Sequence, residues 1–328
     1  MQEYESLIIG GGPCGLSAAI EQKRKGINAV VIEKGNVVDA IYHYPTHQTF
    51  FSSSDKLGIG DVPFIVEDLK PKRNQALVYY REVVKHHQLD VRTFEEVLAV
   101  KKVDNRFLVS TTKQTYKVRF LTIATGYYGQ PNELEVEGQE LSKVMHYFKE
   151  AHLYFNQDVV IIGGKNSAVD AAIELEKAGA NVTVLYRGSE YSKSIKPWIL
   201  PNFESLAKHE KITMHFNSEV ERIDEDTLTF NKEGKSYTIK NDFVFAMIGY
   251  HPDYKFLESC GVETITNEFG TAPSYNKDTM ESNVENLYIA GVIAAGNDAN
   301  TIFIENGKFH GGTIAQDIER KKQTPLES

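Results

Sequence analysis

Gly10, Gly12 and Gly15 stand at the spacing Gly-x-Gly-x-x-Gly, directly after the apolar run Leu7-Ile8-Ile9 and directly before Leu16-Ser17-Ala18-Ala19-Ile20. A strand that turns sharply into a helix leaves unpaired backbone N–H groups and a positive dipole end facing one spot, which suits a pyrophosphate. Gly10 permits the turn, Gly12 lets a phosphate approach the backbone, and Gly15 lets helix and strand pack closely. A second apolar run, Ala29-Val30-Val31-Ile32, ends in Glu33. That acid falls about 20 residues on, where adenosine ribose hydroxyls need an acceptor. Cys14 lies inside the turn. A helix N-terminus favours its thiolate, an adjacent pyrophosphate opposes it, and the net sign is open. Cys14 is therefore either a redox thiol or a small packing residue.

The same grammar starts again at Asp158-Val159-Val160-Ile161-Ile162. A turn follows, Gly163-Gly164-Lys165-Asn166-Ser167-Ala168, then a helix over 169–178 and a strand Asn181-Val182-Thr183-Val184-Leu185-Tyr186. Two dinucleotide sites in one chain are the expectation. The second strand ends in Arg187 where the first ends in Glu33. An acid there repels an adenosine 2′-phosphate, whereas Arg pairs with it, so NADP(H) is favoured over NAD(H). Lys193 offers a second cation. Lys165 replaces the second motif glycine. It either displaces the usual pyrophosphate geometry or contacts a phosphate itself, and the sequence does not decide.

Several elements must position these groups. An aromatic-rich stretch, 41–54, reads as loop, and 74–87 reads as a helix with Leu77, Tyr80, Val83 and Val84 on one face. Strands at 96–100, 107–110 and 116–119 suggest an antiparallel meander. A buried strand follows and ends in Ala124-Thr125-Gly126. The polar connector 130–156 suits a domain boundary. Near the end, Asn286-Leu287-Tyr288-Ile289-Ala290-Gly291 reads as a strand running into glycine, and 301–317 as a helix with Gly307, Gly311 and Gly312 allowing tight packing. Its N-terminus, near Asn300-Thr301-Ile302, would point its dipole at the pyrimidine edge of a flavin. Cys260 reads as part of a surface turn. The fold expected is α/β, with two Rossmann-like dinucleotide-binding domains, the second inserted in the first. FAD would bind residues 1–128 and 251–328, and NADP(H) residues 129–250.

Composition sets outer bounds. The 328 residues suffice for two domains, and a net charge of −9 argues against a general nucleic-acid binder. No apolar run reaches the 18 or so residues of a membrane span. The charged start Gln2-Glu3-Tyr4-Glu5 argues against a cleavable signal. The two cysteines form neither a CxxC nor a metal-ligand cluster, which fits a reduced, cytoplasmic setting.

Taken together, these motifs resemble the thioredoxin-reductase-like flavoproteins with two dinucleotide-binding domains. More narrowly, the Cys14 turn, Tyr42-His43-Tyr44-Pro45, the turn at 163–168 and Lys196-Pro197-Trp198-Ile199-Leu200-Pro201 are similar to the YpdA-type flavoproteins, a family of bacillithiol-disulfide reductases. The resemblance implies NADPH-dependent reduction of bacillithiol disulfide by a cytoplasmic FAD enzyme, a homo-oligomer (dimer or tetramer). It also implies cofactor contacts at Gly10, Gly12, Pro13, Cys14, Gly15, Glu33, Lys34, Tyr44, Pro45, Thr46, Val97, Ala124, Thr125, Gly126, Gly291, Val292, Thr301 and Ile302. At the second site it implies Gly163 through Ala168, Arg187 and Lys193. The redox CxxC of thioredoxin reductases is absent, and Val292 replaces their Asp after the C-terminal glycine, with Asp298 as a possible substitute. Ferredoxin or flavodoxin reduction, flavin monooxygenation and a non-enzymatic flavin sensor are the competing readings. Ser142 stands where the monooxygenase glycine would fall.

Overall fold

The first strand, Gln2–Ile9, is polar and exposed at its start and buried from Ser6 onward. Its last residues therefore form the centre of a sheet. In the computed structural model, which describes residues 2–298 and 301–323, that strand pairs in parallel with Ala29–Ile32 on one side and Thr115–Ile123 on the other. The two-residue strand Val91–Arg92 extends the sheet beyond Ala29–Ile32. Thr115–Ile123 is one strand rather than two. Its first half pairs antiparallel with Arg106–Thr111 and its second half in parallel with Leu287–Ile289. The change of neighbour midway makes a single strand look like two in sequence. Val97–Val103 closes the meander.

Helix Pro13–Arg24 lies against this sheet, with Leu16, Ala18, Ala19 and Ile20 buried. Burying Leu16 or Ile20 contributes about 1.5–3 kcal/mol each. The C-terminal helix packs beside it through Gly311, where a side chain would run into the backbone of Ala18. Gly312 faces open space and has no such role.

The helix expected over 301–317 is two helices, Ile304–Gly307 and His310–Gln323. The break has a cause in packing: Gly307 is held against Cys14 and Gly291, and the imidazole of His310 turns in to bond Gly291. Thr301 and Ile302 precede the first helix, and Asn300 lies outside the described residues. Cys260 is not on a surface turn. It is 8% exposed and shares the core with Leu257 and Val262.

The second sheet runs in the order Ile212–His215, Asn181–Leu185, Asp158–Ile162, Phe243–Ala246, Val144–Met145, all parallel. Helix Asn166–Lys177 buries Ala168, Val169, Ala171, Ala172 and Leu175. A meander of Ser218–Ile223, Thr227–Lys232 and Lys235–Lys240 accompanies it. The chain divides into two compact units: Met1–Tyr42 with His47–Gln130 and His251–Ser328, and His43–Thr46 with Pro131–Tyr250. Among the described residues no helix is long and apolar enough to cross a membrane.

Candidate dinucleotide sites

At the first turn the three glycines have three different surroundings. Gly10 has φ +110°, and a Cβ there would lie 2.5 Å from the Ala124 carbonyl oxygen. A side chain on Gly15 would run into the Gly10 carbonyl. Gly12 differs, because nothing lies within 4 Å of its Cβ position. The outer two glycines thus serve the protein, and the middle one leaves backbone open to a ligand at a helix start, with Pro13 in the first turn.

Glu33 is 8% exposed, and both its oxygens are engaged: Gly11 N–H donates to Oε2 at 2.7 Å and Gly35 N–H to Oε1 at 2.8 Å. Burial raises its pKa, and these two donors oppose the rise. A cavity of about 130 Å³ opens here, lined by Gly10, Glu33, Lys34, Val97, Thr125 and Gly126 among others. Glu95, Glu96, Tyr127, Gln130, Asp253 and Phe256 also line it and were not singled out from sequence. Tyr127 directly follows Ala-Thr-Gly and Gln130 comes four residues after its glycine, so that motif could have led to them. Asp253 and Phe256 come from the far side of the chain, with Gln130 Nε2 donating to Asp253 Oδ2 at 3.1 Å. The cleft, its carboxylate and the open helix start fit the adenosine and pyrophosphate parts of a dinucleotide.

Cys14 is the second residue of helix Pro13–Arg24, and its Sγ lies beside Gly291 and Gly307, where an added Cβ would come 3.2 Å and 3.1 Å from it. Burial pushes its thiol up to about 12. Desolvation is the cause of that rise, and it opposes the thiolate that a helix N-terminus favours. Gly291 has φ +78° and donates its N–H to His310 Nδ1 at 3.1 Å. Burial lowers the pKa of His310, consistent with a neutral ring accepting at Nδ1. Val292 stands against Gly126, 3.8 Å from its Cβ position. Tyr44, Pro45 and Thr46 are not brought to the first cavity; they group with the second unit, where Thr46 N–H donates to Lys149 O at 2.9 Å.

At the second turn Gly163 has φ +134° and abuts the Met247 carbonyl, as Gly10 abuts Ala124. Lys165 caps helix Asn166–Lys177 with its side chain exposed. Asn166 holds the loop that carries Lys193: its Nδ2 donates to Ser194 O, and its Oδ1 accepts from Lys196 N–H, both at 2.9 Å. Arg187 and Lys193 are exposed. The register corrects one reading. Ile9 pairs with Ile32 and Ile162 with Leu185, so Tyr186, not Arg187, is the counterpart of Glu33, and Arg187 matches Lys34.

Residues 7–291 match the family model described as pyridine nucleotide-disulphide oxidoreductase. The chain belongs to that family. It is 61% identical over 324 residues to bacilliredoxin reductase Bdr of Bacillus subtilis, covering 98% of this chain and 99% of the relative. The structure named bacillithiol disulfide reductase Bdr (YpdA) from Staphylococcus aureus superposes with a TM-score of 0.97 at 76% identity, over 98% of this chain and all of that one. The chain is a member of this Bdr group, and with it an oxidoreductase. A thioredoxin reductase of T. acidophilum, 20% identical with a TM-score of 0.76 over 99% of this chain and all of that one, shares the two-domain fold. Among the described residues no group of three or more His, Cys, Asp and Glu is placed to hold a metal ion.

Proposed function

We propose that the protein is an NADPH-dependent FAD enzyme that reduces bacillithiol disulfide. The observation that carries this reading is near-complete coverage at 61% identity to a relative named bacilliredoxin reductase, joined to a second named bacillithiol disulfide reductase. FAD is assigned to residues 1–128 and 251–328, and NADP(H) to residues 129–250. Bound flavin and nicotinamide would supply the two-electron chemistry. The chain's own groups do the rest. Gly12 and the helix start receive a pyrophosphate, Glu33 accepts from ribose hydroxyls, and Arg187 with Lys193 pairs with a 2′-phosphate. Thr301 and Ile302, with Val292, are assigned to the flavin end, and Tyr44, Pro45 and Thr46 to coenzyme contact.

Cys14 is the proposed thiol. Attack of its sulfur on one sulfur of the disulfide would release the other as a thiol. With the thiol pushed up to about 12, its proton stays on at neutral pH while Sγ is packed against Gly291 and Gly307. Reaction therefore requires that this proton be taken from Sγ as the sulfur attacks. A homo-oligomer in the cytoplasm completes the reading.

The test is NADPH oxidation by the purified yellow protein, with bacillithiol disulfide, oxidised bacilliredoxin, ferredoxin and oxygen as separate acceptors. The expected result is turnover with the disulfide. A colourless protein that refuses added flavin, or turnover with ferredoxin alone, would overturn the proposal.

A further inference from the structure

The two units match bond for bond around one position. Glu33 N–H donates to Arg92 O, its carbonyl accepts from Glu95 N–H, and Gly35 O accepts from Phe94 N–H. In the second unit Tyr186 N–H donates to His215 O, its carbonyl accepts from Ser218 N–H, and Gly188 O accepts from Asn217 N–H. Phe94 and Asn217 even share a φ of +52°. Tyr186 thus occupies the place of Glu33, Gly164 that of Gly11, and Gly188 that of Gly35.

The side chains then diverge. The Glu33 carboxylate accepts from the N–H groups of Gly11 and Gly35. The Tyr186 ring lies against the same two positions: a Cβ would come 2.5 Å from its Cδ2 at Gly164 and 2.5 Å from its Cε1 at Gly188. An aromatic face thus fills the space in which the first unit holds an anion. No carboxylate remains there to accept from a ribose 2′-hydroxyl or to repel a 2′-phosphate, and the next residue is a cation.

We infer that Tyr186 is a specificity-determining residue for the coenzyme at the second site, excluding recognition of NAD(H) by removing its acceptor. This inference rests on the assignment of NADP(H) to that site and names the residue behind the preference. In the variant Tyr186→Glu, the carboxylate would accept from Gly164 and Gly188 as Glu33 does from Gly11 and Gly35, and would face the 2′-position.

The test is calorimetric titration of the flavin-loaded protein with NADP⁺ and, separately, NAD⁺. Flavin absorbance and melting temperature serve as controls for folding. Wild type should prefer NADP⁺. Tyr186→Glu should weaken NADP⁺ binding by roughly tenfold or more and hold or strengthen NAD⁺. Tyr186→Gln, an uncharged acceptor, should shift the ratio in the same direction by less, and decides the matter if the Glu variant does not fold. A folded variant that keeps the wild-type NADP⁺ to NAD⁺ ratio overturns the role of Tyr186 alone. A wild type that binds NAD⁺ as tightly as NADP⁺ overturns the underlying assignment as well.

Discussion

Replacing Gly10 and Gly12 by Ala separates what the first turn does for the protein from what it does for a ligand. At Gly10 the added methyl carbon would sit 2.5 Å from the Ala124 oxygen on a backbone with φ +110°. A non-glycine residue held in such a conformation costs about 1–3 kcal/mol, and the overlap a further 1–3 kcal/mol or so. The sum, about 2–6 kcal/mol, is a large part of the 5–15 kcal/mol or so that holds a domain folded. At Gly12 the backbone is ordinary, φ −73° and ψ 173°, and the methyl meets no protein atom within 4 Å. A helix cap weakened by a few tenths to about 1 kcal/mol is offset by about 0.4–1 kcal/mol from a stiffer unfolded chain.

Gly12→Ala should therefore melt like wild type when stripped of flavin, whereas Gly10→Ala should melt well below it. The methyl at position 12 would instead push a pyrophosphate off the helix amides. Losing one charge-assisted hydrogen bond, about 1.5–3 kcal/mol, raises the flavin dissociation constant roughly 10–150-fold. The assay pairs urea denaturation of the stripped proteins with fluorescence titration of FAD. Normal flavin binding by Gly12→Ala, or a stability loss equal to that of Gly10→Ala, would refute the division of roles.

Three further expectations can be checked directly. Cys14 should alkylate slowly with iodoacetamide at neutral pH, and faster as the pH approaches about 12; rapid labelling at pH 7 would contradict the raised thiol pKa. Arg187→Ala combined with Lys193→Ala should raise the KM for NADPH about tenfold or more while leaving that for NADH nearly unchanged, and an equal effect on both would exclude 2′-phosphate pairing. Burial raises the Asp317 pKa, but the Tyr288 hydroxyl at 2.8 Å, Arg320 and Lys321 outweigh it, so the net position is below the ordinary Asp value. Its stabilising contribution is present above the unfolded-state pKa and is lost as the pH falls through the lower folded value. Asp317→Asn should accordingly lower the melting temperature at pH 7, with the gap to wild type closing at strongly acid pH.

Much of the first site was legible in the chain because strand, glycine turn, helix and acid follow one another locally. Gly10, Gly12, Gly15 and Glu33 needed only their spacing to be found. Asp253 and Phe256 carried no such signal, since they reach the cavity from more than 100 residues beyond Thr125. Cys14 shows the same limit in another form. Its place at a helix start was readable, but its packing beside Gly291 and Gly307, distant in the chain, and the desolvation that pushes its thiol up to about 12 were not.

What the sequence alone determined is the repeated strand–turn–helix grammar, and with it two Rossmann-like units, because backbone dihedrals and hydrophobic period are properties of neighbouring residues. Only the tertiary structure decided register. Matching the two strand ends by their charged residue set Arg187 opposite Glu33, whereas the ladders Ile9 to Ile32 and Ile162 to Leu185 put Tyr186 there. The physical reason is that residues become equivalent through the hydrogen bonds they make across a sheet, and those bonds join strands that the sequence holds apart.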